Sequence, residues 1–460
     1  MKFRISAVLL TLILIGAGAV LGEQPMPAPD QTPLRLSLAD AIRRALDEGT
    51  AARLATARTA EAEALALEAR SALQPQLSAG SQFANNTLNL ATFGFSVPGQ
   101  PNVTAPFNVV DFHVTLAMNI IDLAAKRRYE AARAGVRVSE EDRRRTENEV
   151  AAAVASLYVS VGRSSARIDE IRANVDLFQR LRQLAVDQKN AGIGTRLDTT
   201  RADVQLARQQ QALLVATNQR DLSRLALLRA VGADLGTDVV LTDDWSQGTI
   251  PVPPLADALS AARQGRPELS VFEQRVRAAA LRLEAARAER LPTVAAQAQA
   301  VESGNRFQDL DWSRTVGAVV NVPIFTGRRI EARTAEARAQ QEQILLQQKD
   351  AERQVEQEVR QALLQWENAR SRVELANQGV KLAQDELEQA SDRFKAGVAP
   401  SIEVDNAQTS LVAARDTRID ALADEANARF DLSRATGQIR ALIPQTENLS
   451  NENTRQDGGK

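Results

Sequence analysis

The sequence predicts a mainly α-helical protein with a small β part, built from two copies of one domain. Sequence around Gly192 recurs around Gly397, and sequence around Gly232 recurs around Gly437 at the same separation. Aromatic residues make up only 4% of the chain, while alanine, leucine, arginine and glutamate dominate long stretches. That composition is typical of long helices and coiled coils. Stretches of alternating apolar and polar residues interrupt the helical pattern and indicate strands.

The two copies define the domain organisation. Leu-Ala-Asp-Ala-Ile from Leu38 matches Leu-Ala-Asp-Ala-Leu from Leu255, and Pro75 matches Pro292. A repeat of this length indicates a duplicated domain rather than a solenoid. We assign repeat 1 to residues 36–232, a linker or equatorial region to 233–254, and repeat 2 to 255–438.

Residues 1–22 have the pattern of a secretory signal peptide. Lys2 and Arg4 precede an apolar run that is followed by small residues, and cleavage is expected after Ala19 or Gly22. The apolar run is too short for a good membrane span, and an uncleaved N-terminal anchor is the alternative. A Pro-rich linker, 23–35, follows, and a polar tail, 439–460, ends the chain.

Composition excludes several classes of function. The formal net charge of −2 gives no basic surface for nucleic acid. There is no cysteine, so neither a disulfide nor a lipid-anchored N-terminal cysteine is available. His113 is the only histidine, and the sequence contains no P-loop. We therefore predict no catalytic, cofactor or metal site, and no enzyme activity.

Each copy begins with short helices and continues into a pair of strands, predicted at about 76–122 and about 293–325. In copy 1, Phe-His-Val-Thr-Leu-Ala-Met-Asn-Ile alternates strictly, with one apolar face from Phe112 to Ile120. In copy 2, the same pattern begins at Thr293 and returns after Gly304. There the aligned apolar residues are Val316, Ala318, Val320, Val322 and Ile324.

The strands, rather than the helices, are the segments suited to crossing a membrane. No segment after the signal has eighteen consecutive apolar residues, which a transmembrane helix requires. Four strands with an apolar outer face would leave open edges in lipid, where unpaired backbone groups are costly. A closed barrel needs at least about eight strands. The chain is therefore expected to oligomerise.

Each strand pair leads into a long antiparallel helical hairpin, predicted at 124–231 and 328–436. Residues 124–189 and 328–395 contain no proline. In the second hairpin, alanine recurs every seven residues before the turn and again after it. The two series are symmetric about the turn, so that each alanine is expected to face another and let the backbones approach closely. The series are Ala362, Ala369, Ala376, Ala383 and Ala390, and Ala407, Ala414, Ala421, Ala428 and Ala435.

These features together resemble the TolC-type outer-membrane efflux ducts over nearly the whole chain after the signal. The resemblance depends on the duplication, the strand pairs after Pro75 and Pro292, and the turns Ala-Gly-Ile-Gly-Thr-Arg-Leu-Asp and Ala-Gly-Val-Ala-Pro-Ser-Ile-Glu. It implies a homotrimer in which twelve strands close one β-barrel in outer-membrane lipid. Twelve helices then continue that barrel as a periplasmic α-barrel.

The resemblance also implies partners and site residues. The partners are a periplasmic adaptor, or membrane fusion protein, and an inner-membrane pump of RND or ABC type. The turns between the long helices are expected to dock the adaptor, with Gly192, Ile193, Gly194, Thr195, Gly397, Val398, Ala399 and Pro400 as contact residues. A pore constriction is expected just beyond the second turn, at Glu403 and Asn406, with Asp198 in copy 1. Helix-start carboxylates without a channel role are the alternative.

The predicted function is a passive exit duct, gated at its periplasmic end, for multidrug efflux or type I secretion. The duct would carry small molecules or proteins from the pump across the periplasm and outer membrane. The alternative function is a secreted periplasmic coiled-coil adaptor or scaffold without membrane strands. Long hairpins fit both functions, whereas the paired alternating strands favour the duct.

Overall fold

The structure, a computed structural model, describes residues 33–94, 99, 101–192, 194–246, 252–396 and 398–442. The predicted signal peptide, 1–22, lies outside these residues, as do most of the predicted Pro-rich linker and polar tail. Within the described ranges, no helix is both long and apolar enough to cross a membrane.

Copy 1 contains two short helices, a strand pair and a long helical hairpin. Its elements are β1 (Leu34–Leu36), α1 (Leu38–Asp47), α2 (Thr50–Ser71), β2 (Gln76–Asn86), a short 3₁₀ helix (Leu90–Phe93), β3 (Phe107–Ile121), α3 (Leu123–Asn190) and α4 (Arg196–Val231). Asp122 caps the start of α3, where its Oδ1 accepts a hydrogen bond from the Ala125 N–H at 2.8 Å. Helix α4 ends at Gly232, whose φ of 73° favours glycine.

Copy 2 repeats this order after a connecting segment. The connecting segment contains β4 (Val239–Leu241). Copy 2 contains α5 (Leu255–Gly265), α6 (Pro267–Ala288), β5 (Thr293–Gly304), β6 (Asp311–Asn321), α7 (Arg329–Lys395) and α8 (Ser401–Ala435), and a 3₁₀ helix (Ile439–Leu442) follows. Helices α3 and α7 have 68 and 67 residues, so each spans ~100 Å at 1.5 Å per residue.

The four long strands form one antiparallel sheet in the order β2-β3-β5-β6. The two copies therefore join directly, because β3 of copy 1 pairs with β5 of copy 2. In the described chain, β2 and β6 each pair with one neighbour only and are the edges of the sheet. Their outer backbone groups are free to pair with another strand.

The two faces of this sheet differ in polarity. On one face, the register places Leu77, Leu116, Ala298 and Val316 in a row across the four strands. On the other face, the adjacent row is Ser78, Thr115, Gln299 and Thr315. Many large apolar residues of the first face are exposed in the single chain. That pattern is typical of strands with lipid on one side and water on the other.

Strand β6 ends earlier than the alternation suggested. Val322 and Ile324 were expected to continue its apolar face, but the strand ends at Asn321. Pro323 follows directly and has no N–H to donate to a strand ladder. Both apolar residues therefore lie in the connection to α7, where Ile324 is 95% exposed.

The main core lies around the middle of α3, at the level of the short elements. Ile42 of α1 and Val154 and Tyr158 of α3 are almost completely buried there, together with Val231 at the end of α4. The Tyr158 hydroxyl donates to the Leu36 carbonyl at 3.1 Å and accepts from the Asp243 N–H at 3.1 Å. These bonds fix β1 and the segment after β4 against α3.

The segments assigned as a linker and a tail take part in this core. Strand β4 lies in the assigned linker 233–254 and pairs in parallel with β1. Trp245 packs so closely on Gly162 that a Cβ there would overlap its ring. Ile439, assigned to the polar tail, is completely buried in the same core. The tail boundary at 439 was therefore placed too early, because Ile439 packs as a core residue.

The second hairpin buries its alanine series. Nine of the ten alanines are at most 8% exposed, and Ala414 is half-buried. Ala362 and Ala369 of α7 lie in one cluster with Ala428 and Ala435 of α8, and Ala383 lies in another with Ala414. That each alanine has its mirror residue as its direct partner stays a prediction.

Candidate functional site at the hairpin tips

The predicted functional residues lie at the turns that join α3 to α4 and α7 to α8. The turns span residues 191–195 and 396–400. Ile193 and Gly397, both predicted to contact an adaptor, lie outside the described residues. The remaining tip residues are described and show how each turn is built.

The first turn depends on two glycines. Gly192 has a φ of 77°, the left-handed conformation that glycine adopts at little cost. The Gly194 N–H donates to the Gln188 carbonyl at 3.0 Å, which folds the turn back onto the end of α3. A Cβ on Gly194 would lie 2.9 Å from the Lys189 backbone nitrogen. The close return of the chain therefore requires a residue without a side chain.

Thr195 and Asp198 form a capping box at the start of α4. The Thr195 Oγ1 accepts from the Asp198 N–H at 3.3 Å, and the Asp198 carboxylate accepts from the Thr195 N–H at 3.1 Å and hydroxyl at 2.6 Å. The hydrogen bond from the Thr195 hydroxyl is the main reason that the pKa of Asp198 lies below its ordinary value. Asp198 thus has a clear local role in the turn.

The second turn is built differently. The Val398 N–H donates to the Arg393 carbonyl at 3.0 Å, and Pro400 is the N-cap of α8 without a side-chain hydrogen bond. Val398 is 69% exposed at the end of the hairpin. Most of the described tip residues are thus small or apolar, which suits contact with another protein.

Glu403 forms an ion pair within its own hairpin. Its Oε2 lies 3.3 Å from Nε of Arg393 on α7, and both side chains are substantially exposed. Asn406, one helical turn further along α8, is exposed. Arg393 is a partner that the sequence pattern did not reveal, because the pairing depends on how α7 and α8 align across the turn.

A cavity of about 420 Å³ separates the two hairpins just above their tips. Phe178 and Leu181 of α3 form part of its apolar wall, with Phe394 of α7. Its charged groups are the side chains of Asp198, Arg201 and Asp405. Glu403 and Asn406 do not line it. The structure therefore brings Asp198 together with Asp405 rather than with the two predicted constriction residues of α8.

Asp405 occupies an unfavourable position for a charge. Burial in the cleft raises the pKa of its carboxyl above the ordinary value, and the nearby Asp198 carboxylate acts in the same direction. The Arg201 guanidinium opposes both effects. Asp405 is two residues from Glu403, about 200° around α8, and no local sequence pattern predicts its contact with copy 1.

Further from the tips, ion pairs join the two hairpins. Nε of Arg167 on α3 lies 3.4 Å from Oδ1 of Asp416 on α8, and its Nη2 lies 3.6 Å from Oδ2 of Asp420. Nη1 of Arg415 lies 2.6 Å from Oε1 of Glu170. Half-exposed ion pairs contribute about 0–1 kcal/mol each. Together, these ion pairs therefore contribute more to the alignment of the two hairpins than to the free energy of unfolding.

The comparisons with known proteins agree with this architecture. A family model described as outer membrane efflux protein matches residues 41–233 and 258–438. Its two matched ranges correspond to the two copies of the domain.

Two curated relatives show the same kind of protein. The outer membrane efflux protein BepC of Brucella suis biovar 1 is 26% identical over 323 residues, covering 64% of this chain and 69% of its own length. The pyoverdine export outer membrane protein OpmQ of Pseudomonas aeruginosa is 24% identical over 409 residues. That match covers 86% of this chain and 84% of the relative.

A solved structure supports the fold. The Campylobacter jejuni CmeC outer membrane channel superposes with a TM-score of 0.76 at 15% identity, covering 87% of this chain and 85% of its own. Since the family model spans most of the chain, the assignment does not depend on this structural likeness. The chain belongs to the outer membrane efflux protein family, as an outer-membrane channel rather than an enzyme.

Proposed function

We propose that three copies of this chain close one membrane barrel and one periplasmic helical duct. The observation that carries this proposal is the four-stranded sheet, whose two edge strands are unpaired and whose apolar face is exposed. Three such sheets supply twelve strands, within the range of known closed barrels, whereas one sheet alone would leave its edges open in lipid.

The mass of the detergent-solubilised protein tests the assembly. We expect a particle that contains three chains of 49.9 kDa or slightly less, if a signal peptide is removed. The complex should persist in mild detergent because edge strands pair through their backbones. A stable single chain that forms channels in planar bilayers would contradict the proposal.

The duct serves as the exit component of an efflux or secretion system. Its partners are a periplasmic adaptor, which contacts the tips, and an inner-membrane pump of RND or ABC type, which supplies the energy. The exposed side chain of Val398 and the tight turn at Gly194 support the tips as the contact surface. The relative OpmQ is described as exporting pyoverdine, so export of a small molecule is one function within this class.

The periplasmic end is the constriction of the duct, and Glu403 contributes its acidic ring. Its position near the tip supports this role, while Arg393 partly neutralises each carboxylate. Rings of carboxylates favour cations in a pore. Asn406 and Asp198 are secondary candidates, since Asn406 is uncharged and Asp198 is engaged by Thr195.

Ion selectivity in planar bilayers separates the candidate acids. We expect Glu403→Gln to weaken the preference for cations without changing trimer formation, because it removes one negative charge from each chain. Asp405→Asn is the matched control, since it removes one carboxylate two residues away on α8. If selectivity survives Glu403→Gln and falls with Asp405→Asn, the acidic ring belongs to Asp405 instead.

A further inference from the structure

The cleft between the two hairpins, just above their tips, has the size of a small-molecule site. Its volume of about 420 Å³ lies within the range of ligand pockets in proteins, about 300–1,000 Å³. Side chains of α3, α4, α7 and α8 all line it. A molecule in the cleft would therefore contact both hairpins of one chain.

Most of the side chains that line this cleft are apolar. Phe178 of α3 is 4% exposed, and Phe394 of α7 is half-buried. Leu184 and Ile402 are more open to water, at 47% and 43% exposed. A ligand with an apolar body would remove these side chains from water, which favours its binding.

The charged groups of the cleft leave one carboxylate available. Asp198 and Asp405 are negative and Arg201 is positive, which gives the cleft a formal charge of −1. The Asp198 carboxylate already accepts from the Thr195 N–H and hydroxyl. The Asp405 carboxylate forms no hydrogen bond or ion pair with another described residue, and Arg201 acts on it only from a distance. A ligand can therefore approach Asp405 without displacing a partner among these residues.

The surroundings of Asp405 favour a cation over other ligands. Burial raises the pKa of Asp405, because the cleft solvates the ionised carboxylate poorly. A cation beside this carboxylate would offset that cost, and the faces of aromatic rings such as Phe178 and Phe394 attract cations as well. An anion would be repelled by both aspartates, and a neutral ligand would leave Asp405 unpaired.

We propose that this cleft binds a small lipophilic cation, with its charged group at Asp405 and its apolar body against Phe178 and Phe394. The occupant is a free small molecule, since the volume suits a ligand of that size. Because the bound cation contacts both hairpins, it stabilises the arrangement of the tips seen in this structure. The cleft lies within one chain, so the proposal does not depend on trimer formation.

Ethidium, a fluorescent aromatic monocation, is the probe for the purified full-length protein in detergent. We expect its fluorescence to rise with saturable binding of one ethidium per chain, because the cleft shields the dye from water. The uncharged ring system 6-phenylphenanthridine should compete about tenfold more weakly than ethidium itself, since it lacks the contact with a charged group. Equal competition by the neutral ring would contradict a site that selects cations.

Variants of the charged groups test the position of the cation. Asp405→Asn should weaken ethidium binding about tenfold, and Arg201→Gln should strengthen it because a competing cation is lost. Asp405→Asn removes a partly buried charge, so the tip is expected to keep its fold. The matched control is Asp176→Asn, at an exposed acid of α3 outside the cleft, and it should leave binding unchanged. The proposal is wrong if Asp405→Asn binds ethidium as tightly as the native protein, or if Asp176→Asn weakens binding equally.

Amide hydrogen exchange distinguishes binding in the cleft from binding elsewhere on the protein or in the detergent. Saturating ethidium should slow exchange in the first turns of α4 and α8 of the native protein, because both line the cleft. The same concentration should have no such effect on the Asp405→Asn variant. Exchange that stays unchanged at both helix starts of the native protein would rule out the cleft as the site.

Discussion

At the scale of single residues, neighbours from the other copy decide the properties of the tip. Glu403 was identified from its place after the second turn, yet its partner Arg393 lies on α7 and follows from no local pattern. Asp405, two residues along α8, lies in the cleft beside Arg201 and Asp198. Sequence spacing identifies which residues share one face of a helix, but not which residues of another hairpin contact that face.

The raised pKa of Asp405 predicts a pH dependence of the tip. Because the folded tip binds this proton more readily than the unfolded chain, ionised Asp405 destabilises the tip at neutral pH. The destabilisation is lost as the pH falls through the raised pKa towards the ordinary value of 3.8. Asp405→Asn should therefore slow amide hydrogen exchange in the first turns of α8 at pH 7, with a smaller effect near pH 4.

Asp198→Asn is a control for which we expect the opposite change in amide exchange. The pKa of Asp198 is lowered, so its ionised form stabilises the capping box above the ordinary value of 3.8. This variant should speed exchange in the first turn of α4 at pH 7, and the effect should persist until the pH falls below that value. If both variants change amide exchange in the same direction, the cleft does not shift the pKa values of the two carboxyls in opposite directions.

At the scale of elements, periodicity predicted more than local composition. The strand pairs, long helices and buried alanine series followed from spacings of two and seven residues, because each spacing places apolar atoms on one face. The pairing of β1 with β4 did not follow, since each strand has only three residues and its partner lies about two hundred residues away. Nor did the end of β6, which Pro323 determines more strongly than the apolar alternation.

The alanine series makes a prediction about packing between α7 and α8. Ala376 is 7% exposed and Ala421 is 1% exposed, so there is no room for a larger side chain at either position. We expect Ala376→Leu and Ala421→Leu each to cost on the order of 1–3 kcal/mol of stability. Asn377→Leu, at an exposed neighbour, should be nearly neutral in the same thermal melts. Equal effects of all three would rule out close packing along this seam.

At the scale of the whole molecule, duplication and the proposed assembly remove the free edges of the strand pairs in two steps. Pairing of β3 with β5 joins the two copies and removes two of the four free edges that separate strand pairs would have. The remaining edges, β2 and β6, have no partner within the described sheet, and in the proposed trimer they pair with other chains. The same joining aligns the two hairpins, so that α3 lies against α8 and the cleft above the tips forms between them. Because one pairing joins the strands and aligns the hairpins, closure of the proposed barrel and the geometry of the tips depend on each other.

Proline scanning of β6 distinguishes a paired edge from a free one. In an antiparallel strand, successive N–H groups point to opposite sides, so one of Val319 and Val320 directs its N–H to β5 and the other to the open edge. In a single chain, proline would be tolerated at the open-edge position, because that N–H has no strand partner. In a closed barrel, proline removes a ladder bond at either position. We therefore expect both Val319→Pro and Val320→Pro to abolish trimers in detergent, while Val319→Ala and Val320→Ala keep them. If the proline variant at the open-edge position assembles normally, β6 is not paired with another chain.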